Sequence, residues 1–182
     1  PLPDSPLGWT EDVIDIANKS QNITGGMVDD FFSPERLEKY PPVVLKQMQQ
    51  KLNNSQKNLD FWAVLYKSQL EEDVAGHLDC FDGVSFWLWE QELIDDVEKH
   101  VQRFFELAKG KRKMLGIYLY DYASEKVMEL SRFKRHLDYA VELLKAGEIE
   151  GIIFCSGCIG DMDLQANKYL KEYIALHGND EI

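Results

Sequence analysis

Apolar residues gather into five short runs with strand character, and each run is followed by a stretch whose apolar positions recur at helical spacing. The first run, 23–32, reads ITGGMVDDFF and stops at Ser33-Pro34, a capping residue followed by the residue best suited to a first helical turn. Pro41-Pro42 interrupts the helix that begins there, and Val44, Leu45, Met48 and Leu52 then share one helical face. The second run, 61–66, precedes a short acidic helix around 71–78. The third, 83–89, leads into a long amphipathic stretch through Leu93, Val97, Val101, Phe104, Phe105 and Ala108 that ends at Gly110. The fourth, 114–120, leads into a helix through Phe133, Leu137, Ala140, Val141 and Leu144 that ends at Gly147. The fifth, 151–155, leads into a last helix over 164–176, closed by Gly178. Ahead of all of them, 10–19 reads as one more helix.

Strands alternating with helices at this spacing imply parallel pairing, because a parallel neighbour needs a crossover of about a dozen residues or more. The pattern predicts one α/β domain over 1–182, a partial (β/α)8 barrel carrying about five parallel strand-helix units, strands four to eight of the eight. The alternative is a complete five-stranded doubly wound sheet, whose ligand site would be a phosphate loop. No such glycine-rich turn follows the first strand. Gly25-Gly26 lies inside it, where glycine suits a close approach of neighbouring backbones. If 182 residues are the whole chain, a second copy is expected to cover the open sheet edge, giving a homo-oligomer.

Composition is globular, 45% hydrophobic and 29% charged, so disorder is not expected. Asp and Glu outnumber Lys and Arg by 32 to 20, and the net charge of −12 removes general attraction to nucleic acid or anionic lipid. Lys109, Lys111, Arg112 and Lys113 read as a solvated basic loop. No apolar run approaches membrane-spanning length, so a soluble chain with no membrane partner is expected. Residues 1–8 have neither an initiator Met nor the form of a signal peptide, which leaves the compartment open.

In a parallel barrel the chemistry gathers at the C-terminal strand ends. Those ends carry Asp29-Asp30, then Tyr66, Lys67 and Gln69, then Trp87, Trp89 and Glu90, then Tyr118, Tyr120 and Asp121, and finally Cys155 and Cys158. Alternation puts Val84, Phe86 and Leu88 on one face and Ser85, Trp87 and Trp89 on the other. Likewise Leu115, Ile117 and Leu119 face the helices, leaving Tyr118 and Tyr120 inside. Tyr66, Trp87, Trp89, Tyr118 and Tyr120 then form an aromatic lining, and flat apolar rings with polar tips suit the C–H faces and hydroxyls of sugars. Adjacent Asp29 and Asp30 point in different directions, so one enters the site and the other serves the following helix. Asp121 and Glu90 are the alternatives for a second carboxylate, since glycosidic hydrolysis uses one group as proton donor and another to attack or to activate water. Lys67 offers a base or a Schiff-base amine instead.

Cys155 and Cys158 make a CxxC before a helix, but no second ligand pair is near and the third cysteine, Cys80, is distant. His77, His100, His136 and His177 all fall on predicted helices without metal-ligand spacing. No metal or cofactor is expected.

The tracts NITGGMVDDFF, WAVLYKSQL, FDGVSFWLWE, KRKMLGIYLYDY and EIEGIIFCSGCIGD resemble the later strands of glycoside-hydrolase-type TIM barrels. They are especially similar to uncharacterised bacterial barrel proteins with a DDFF-like fourth strand and a GxYLYDY-like seventh. The resemblance implies that Asp29-Asp30 stand on the fourth strand, Glu90 on the sixth and Asp121 on the seventh. In that architecture the catalytic carboxylates pair across the fourth and seventh or the fourth and sixth strands. This chain has Asp-Asp where the commonest pattern has Asn-Glu. The function implied is carbohydrate-active, a glycoside hydrolase with paired carboxylates, with a non-catalytic saccharide-binding barrel or a sugar isomerase or lyase as alternatives.

Overall fold

The computed structural model describes residues 6–157 and 160–180. In chain order it contains α1 (Pro6–Lys19), β1 (Gly25–Val28), α2 (Pro34–Lys39), α3 (Pro42–Asn53), β2 (Asp60–Tyr66), α4 (Ala75–Leu78) and β3 (Gly83–Trp87). There follow α5 (Val97–Leu107), β4 (Arg112–Tyr118), β5 (Tyr120–Asp121), β6 (Lys126–Val127), α6 (Leu130–Lys145), β7 (Gly151–Cys155) and α7 (Gln165–His177). Single 3₁₀ segments over Lys67–Gln69 and Gln91–Asp96 carry the chain out of β2 and away from the end of β3. β1, β2, β3, β4 and β7 form one all-parallel sheet in that order, each strand beside its predecessor without reversal, and the sheet curls into a half-barrel. β5 and β6 form a separate antiparallel hairpin.

Period-two alternation divides the sheet into two unlike faces. On the helix side Phe61, Ala63, Leu65, Val84, Phe86, Leu115 and Ile117 are all buried. Phe86 stacks on Phe104 of α5 with centroids 4.9 Å apart and planes at 11°. Trp9 of α1 lies over Gly26 and tilts against Phe61. The other face is built by register. Trp62 pairs with Gly83, Val64 with Ser85, and Tyr66 with Trp87. Trp87 in turn pairs with Gly116, and Tyr118 with Cys155. A Cβ on Gly83 would lie 2.3 Å from the Trp62 ring, and one on Gly116 1.9 Å from the Trp87 ring. Each indole therefore lies across a glycine of the next strand, large beside small, which fills this face without splaying the strands. Gly25 allows the close backbone approach expected of it: a Cβ there would meet the Asp60 carbonyl oxygen at 2.6 Å.

Three runs depart from the apolar pattern, the third by ending as strand at Trp87, two residues short of Trp89. The first run is strand only over Gly25–Val28, because Asp30 adopts a left-handed φ of 51° and turns the chain out of the sheet. The Arg36 guanidinium fastens that turn by donating to the carbonyls of Asp29 and Asp30, at 2.9 and 2.7 Å. Phe31 and Phe32 then pack beside Phe81 as buried core rather than as strand. The fourth run ends at Tyr118, so Tyr120 and Asp121 open the hairpin instead of prolonging the strand. No helix among the described residues is long and apolar enough to cross a membrane.

Candidate functional site

The C-terminal ends of β1, β2 and β3 surround a cleft of about 320 Å³. Asp30, Tyr66, Lys67, Ser68, Trp89, Glu90 and Leu93 line it. Five residues named from sequence thus meet here: Asp30, Tyr66, Lys67, Trp89 and Glu90. Ser68, which stands in the same strand-end tract, and Leu93, read from sequence as a helix-face residue, complete the lining.

The turn that bends β1 aims the two adjacent aspartates differently. Asp30 lines the cleft. Asp29 accepts the backbone N–H of Asp30 at 2.8 Å and the Tyr66 hydroxyl at 2.9 Å on one carboxylate oxygen, Oδ1. Tyr66 is in turn hydrogen-bonded to Tyr118, so a carboxylate and two phenols form one chain along the strand ends. Burial, reinforced by Tyr118 and by the Asp29 carboxylate, pushes the Tyr66 hydroxyl far above the usual phenol range. Burial also raises Tyr118. Both hydroxyls therefore stay protonated at any physiological pH, which fixes them as hydrogen-bonding groups rather than bases.

Of the predicted aromatic lining, Tyr66 and Trp89 line the cleft, whereas Trp87 and Tyr118 do not. Trp87 is buried, its N–H donates to the Ser85 hydroxyl at 3.0 Å, and Tyr118 packs on it at 4.9 Å. Trp89 lies 43% exposed, edge-on to Tyr66 and Tyr118 at 6.1 and 5.5 Å, and near-parallel to Tyr122 at 6.0 Å. Tyr122 supports the Trp89 ring without itself lining the cleft. Tyr120 contacts Tyr122 at 5.3 Å from the hairpin, and it is not among the residues lining the cleft.

Other sequence candidates do structural work. The Gln69 side chain accepts the Tyr66 backbone N–H at 2.9 Å and closes its own 3₁₀ turn. Asp121 is fully buried and accepts the N–H groups of Ala123 and Ser124, at 3.1 and 3.2 Å, together with the Ser124 hydroxyl. Burial opposes its charge, but these bonds and one from Gln91 outweigh it and hold the carboxyl below the usual range. Of the two alternatives for a second carboxylate, Glu90 is the one that shares the cleft with Asp30. Gln91, buried and unforeseen, also accepts the Glu129 N–H at 2.9 Å and so ties the Glu90 turn to the hairpin's exit.

Cys155 stands at the end of β7, and Cys158 lies outside the described residues. His77, His100, His136 and His177 lie on α4, α5, α6 and α7. Among the described residues no group of three or more His, Cys, Asp and Glu side chains is placed to hold a metal ion. No protein-family model matches the chain, and no curated protein matches it.

Proposed function

We propose that the chain is the strand-four-to-eight part of a (β/α)8 barrel and that its rim cleft binds and hydrolyses a carbohydrate, with Asp30 and Glu90 as the paired carboxylates. The single observation behind this reading is one cleft that brings together a half-exposed indole, the Tyr66 phenol held neutral and two carboxylates from different strand ends. A sugar needs each of these: an apolar plane for its C–H face, hydrogen-bonding groups for its hydroxyls and two acids flanking the bond to be broken. The barrel is favoured over a doubly wound sheet because the strands follow chain order, whereas a doubly wound sheet binds its ligand where that order reverses.

In this reading one carboxyl protonates the glycosidic oxygen as the bond to the anomeric carbon breaks. The other attacks that carbon directly if the carboxyls close to about 5 to 5.5 Å, or activates water if about 6.5 to 9.5 Å separates them. The test is reducing-end release from a panel of oligosaccharides, with affinity measured by calorimetry. Asp30→Asn and Glu90→Gln are each expected to lower turnover about 10²- to 10⁴-fold while affinity stays within about threefold. Trp89→Ala is expected to weaken affinity about tenfold, the equivalent of about 1.4 kcal/mol of ring contact. Wild-type binding without release would favour the non-catalytic saccharide-binding reading. Lys67 lines the same cleft. Loss of turnover in Lys67→Met, with borohydride trapping of substrate on Lys67, would favour the isomerase or lyase.

A further inference from the structure

Lys67 and Ser68 also line a second groove of about 470 Å³, whose other lining includes Lys99, His100, Gln102 and Arg103 of α5. Lys99 and His100 stand in the first turns of α5, and Arg103 lies one turn further along. Arg103 is already committed: its guanidinium binds Glu71 at 3.1 Å and Glu106 at 3.2 Å. Lys67 and Lys99 differ, since neither has a carboxylate oxygen within 4 Å among the described residues. Their charge is felt locally. Burial first, then Lys67 and Lys99, lowers the His100 pKa despite the opposing effect of Asp96, which leaves a neutral ring with a hydrogen bond to offer.

Two unmatched ammonium groups beside a candidate sugar cleft are notable in a chain of net charge −12, whose overall field repels anions. We infer that the ligand is an anionic saccharide, with an uncharged ring against Trp89 and a carboxylate or sulfate substituent between Lys67 and Lys99. This rests on the carbohydrate reading and adds the substrate class to it. Lys67 and Ser68 line both spaces, which sets the two side by side.

Calorimetry on the whole chain tests this with a neutral oligosaccharide, its uronate counterpart and its sulfate ester. At least one anionic form is expected to bind about tenfold more tightly than the neutral parent at low salt, as two partly exposed ion pairs would give. That advantage should shrink toward about 0.5 M salt. Lys99→Gln, which leaves the rim cleft untouched, should cut the advantage to about threefold or less and change the neutral parent's affinity by less than about twofold. Lys99→Arg should retain it. Equal affinities for all three ligands, or a Lys99→Gln variant that weakens all three alike, would overturn the inference and leave the carbohydrate reading standing. Failure of every saccharide to bind would overturn both.

Discussion

Gly116 faces Trp87 across the β3–β4 register, and a methyl group there would lie 1.9 Å from the indole Cδ2 and 2.0 Å from Cε2, where ordinary contact begins at 3.4 Å. The ring has no easy retreat. It is buried, its N–H is bound to Ser85, and Tyr118 packs on it at 4.9 Å. Gly116 does not have a positive φ, so an alanine backbone fits and the penalty is steric alone. Gly116→Ala should therefore destabilise the fold by about 3 kcal/mol, the upper end of the usual overpacking range. The control is Trp87→Ala, which should cost about 3 to 5 kcal/mol on its own through the cavity it leaves. In that background the second substitution should be close to neutral, because the atoms it strikes are gone and alanine restricts the unfolded chain slightly more than glycine does. Urea unfolding of the four proteins should thus yield a coupling energy of about 2 to 3 kcal/mol. Strictly additive effects, or a Gly116→Ala protein within about 0.5 kcal/mol of wild type, would refute the claim that the indole and the glycine are matched.

His136 is enclosed in the core, and burial lowers its pKa to about 4. The unfolded chain takes up a proton near pH 6.5 that the fold refuses, so stability should fall as pH drops from about 6.5 to about 4, by on the order of 3 kcal/mol. Urea titrations at both ends of that range should show this slope, and His136→Gln should flatten it. Asp121→Asn should cost about 1 to 3 kcal/mol, by weakening the bonds that close the β5–β6 hairpin, while turnover per folded molecule stays unchanged. A stable but inactive Asp121→Asn protein would make that carboxylate catalytic after all. Asp30→Gly should raise stability by up to about 1 kcal/mol, because the left-handed φ of 51° suits glycine, and should abolish turnover by removing a cleft carboxylate. Loss of stability in this variant would show that the Asp30 side chain supports the turn.

The strands were legible where apolar alternation ran to the end of the element. The fifth run, 151–155, coincides with β7, and the face holding Val84, Phe86, Leu115 and Ile117 was named from period-two spacing alone. The first run misled because apolar content does not distinguish strand from core. Phe31 and Phe32 are as buried as any strand residue, yet they follow the turn at Asp30 and pack beside Phe81. The β5–β6 hairpin had no periodic signature to read, being two residues on each side and held by one aspartate's acceptor bonds.

The candidate site divides along the same physical line. Position at a strand end follows from spacing, so Asp30, Tyr66, Lys67, Trp89 and Glu90 were all named from sequence, and all line one cleft. Direction beyond the strand end follows from a few individual hydrogen bonds, and apolar spacing carries no record of those. Arg36 fastens the turn that separates Asp29 from Asp30, and Gln91 ties the segment after Glu90 to Glu129. Asp121 stands only three residues beyond the last residue of β4, but the donors that turn it away from the rim all come from its own hairpin and from Gln91. What donates to an acid thus bears on the work it is free to do, and the Asp121→Asn and Glu90→Gln variants are the test of that division. An acid whose acceptor oxygens are filled by backbone N–H groups has little left to offer a substrate, and that separates Asp121 from Glu90 more firmly than any strand assignment does.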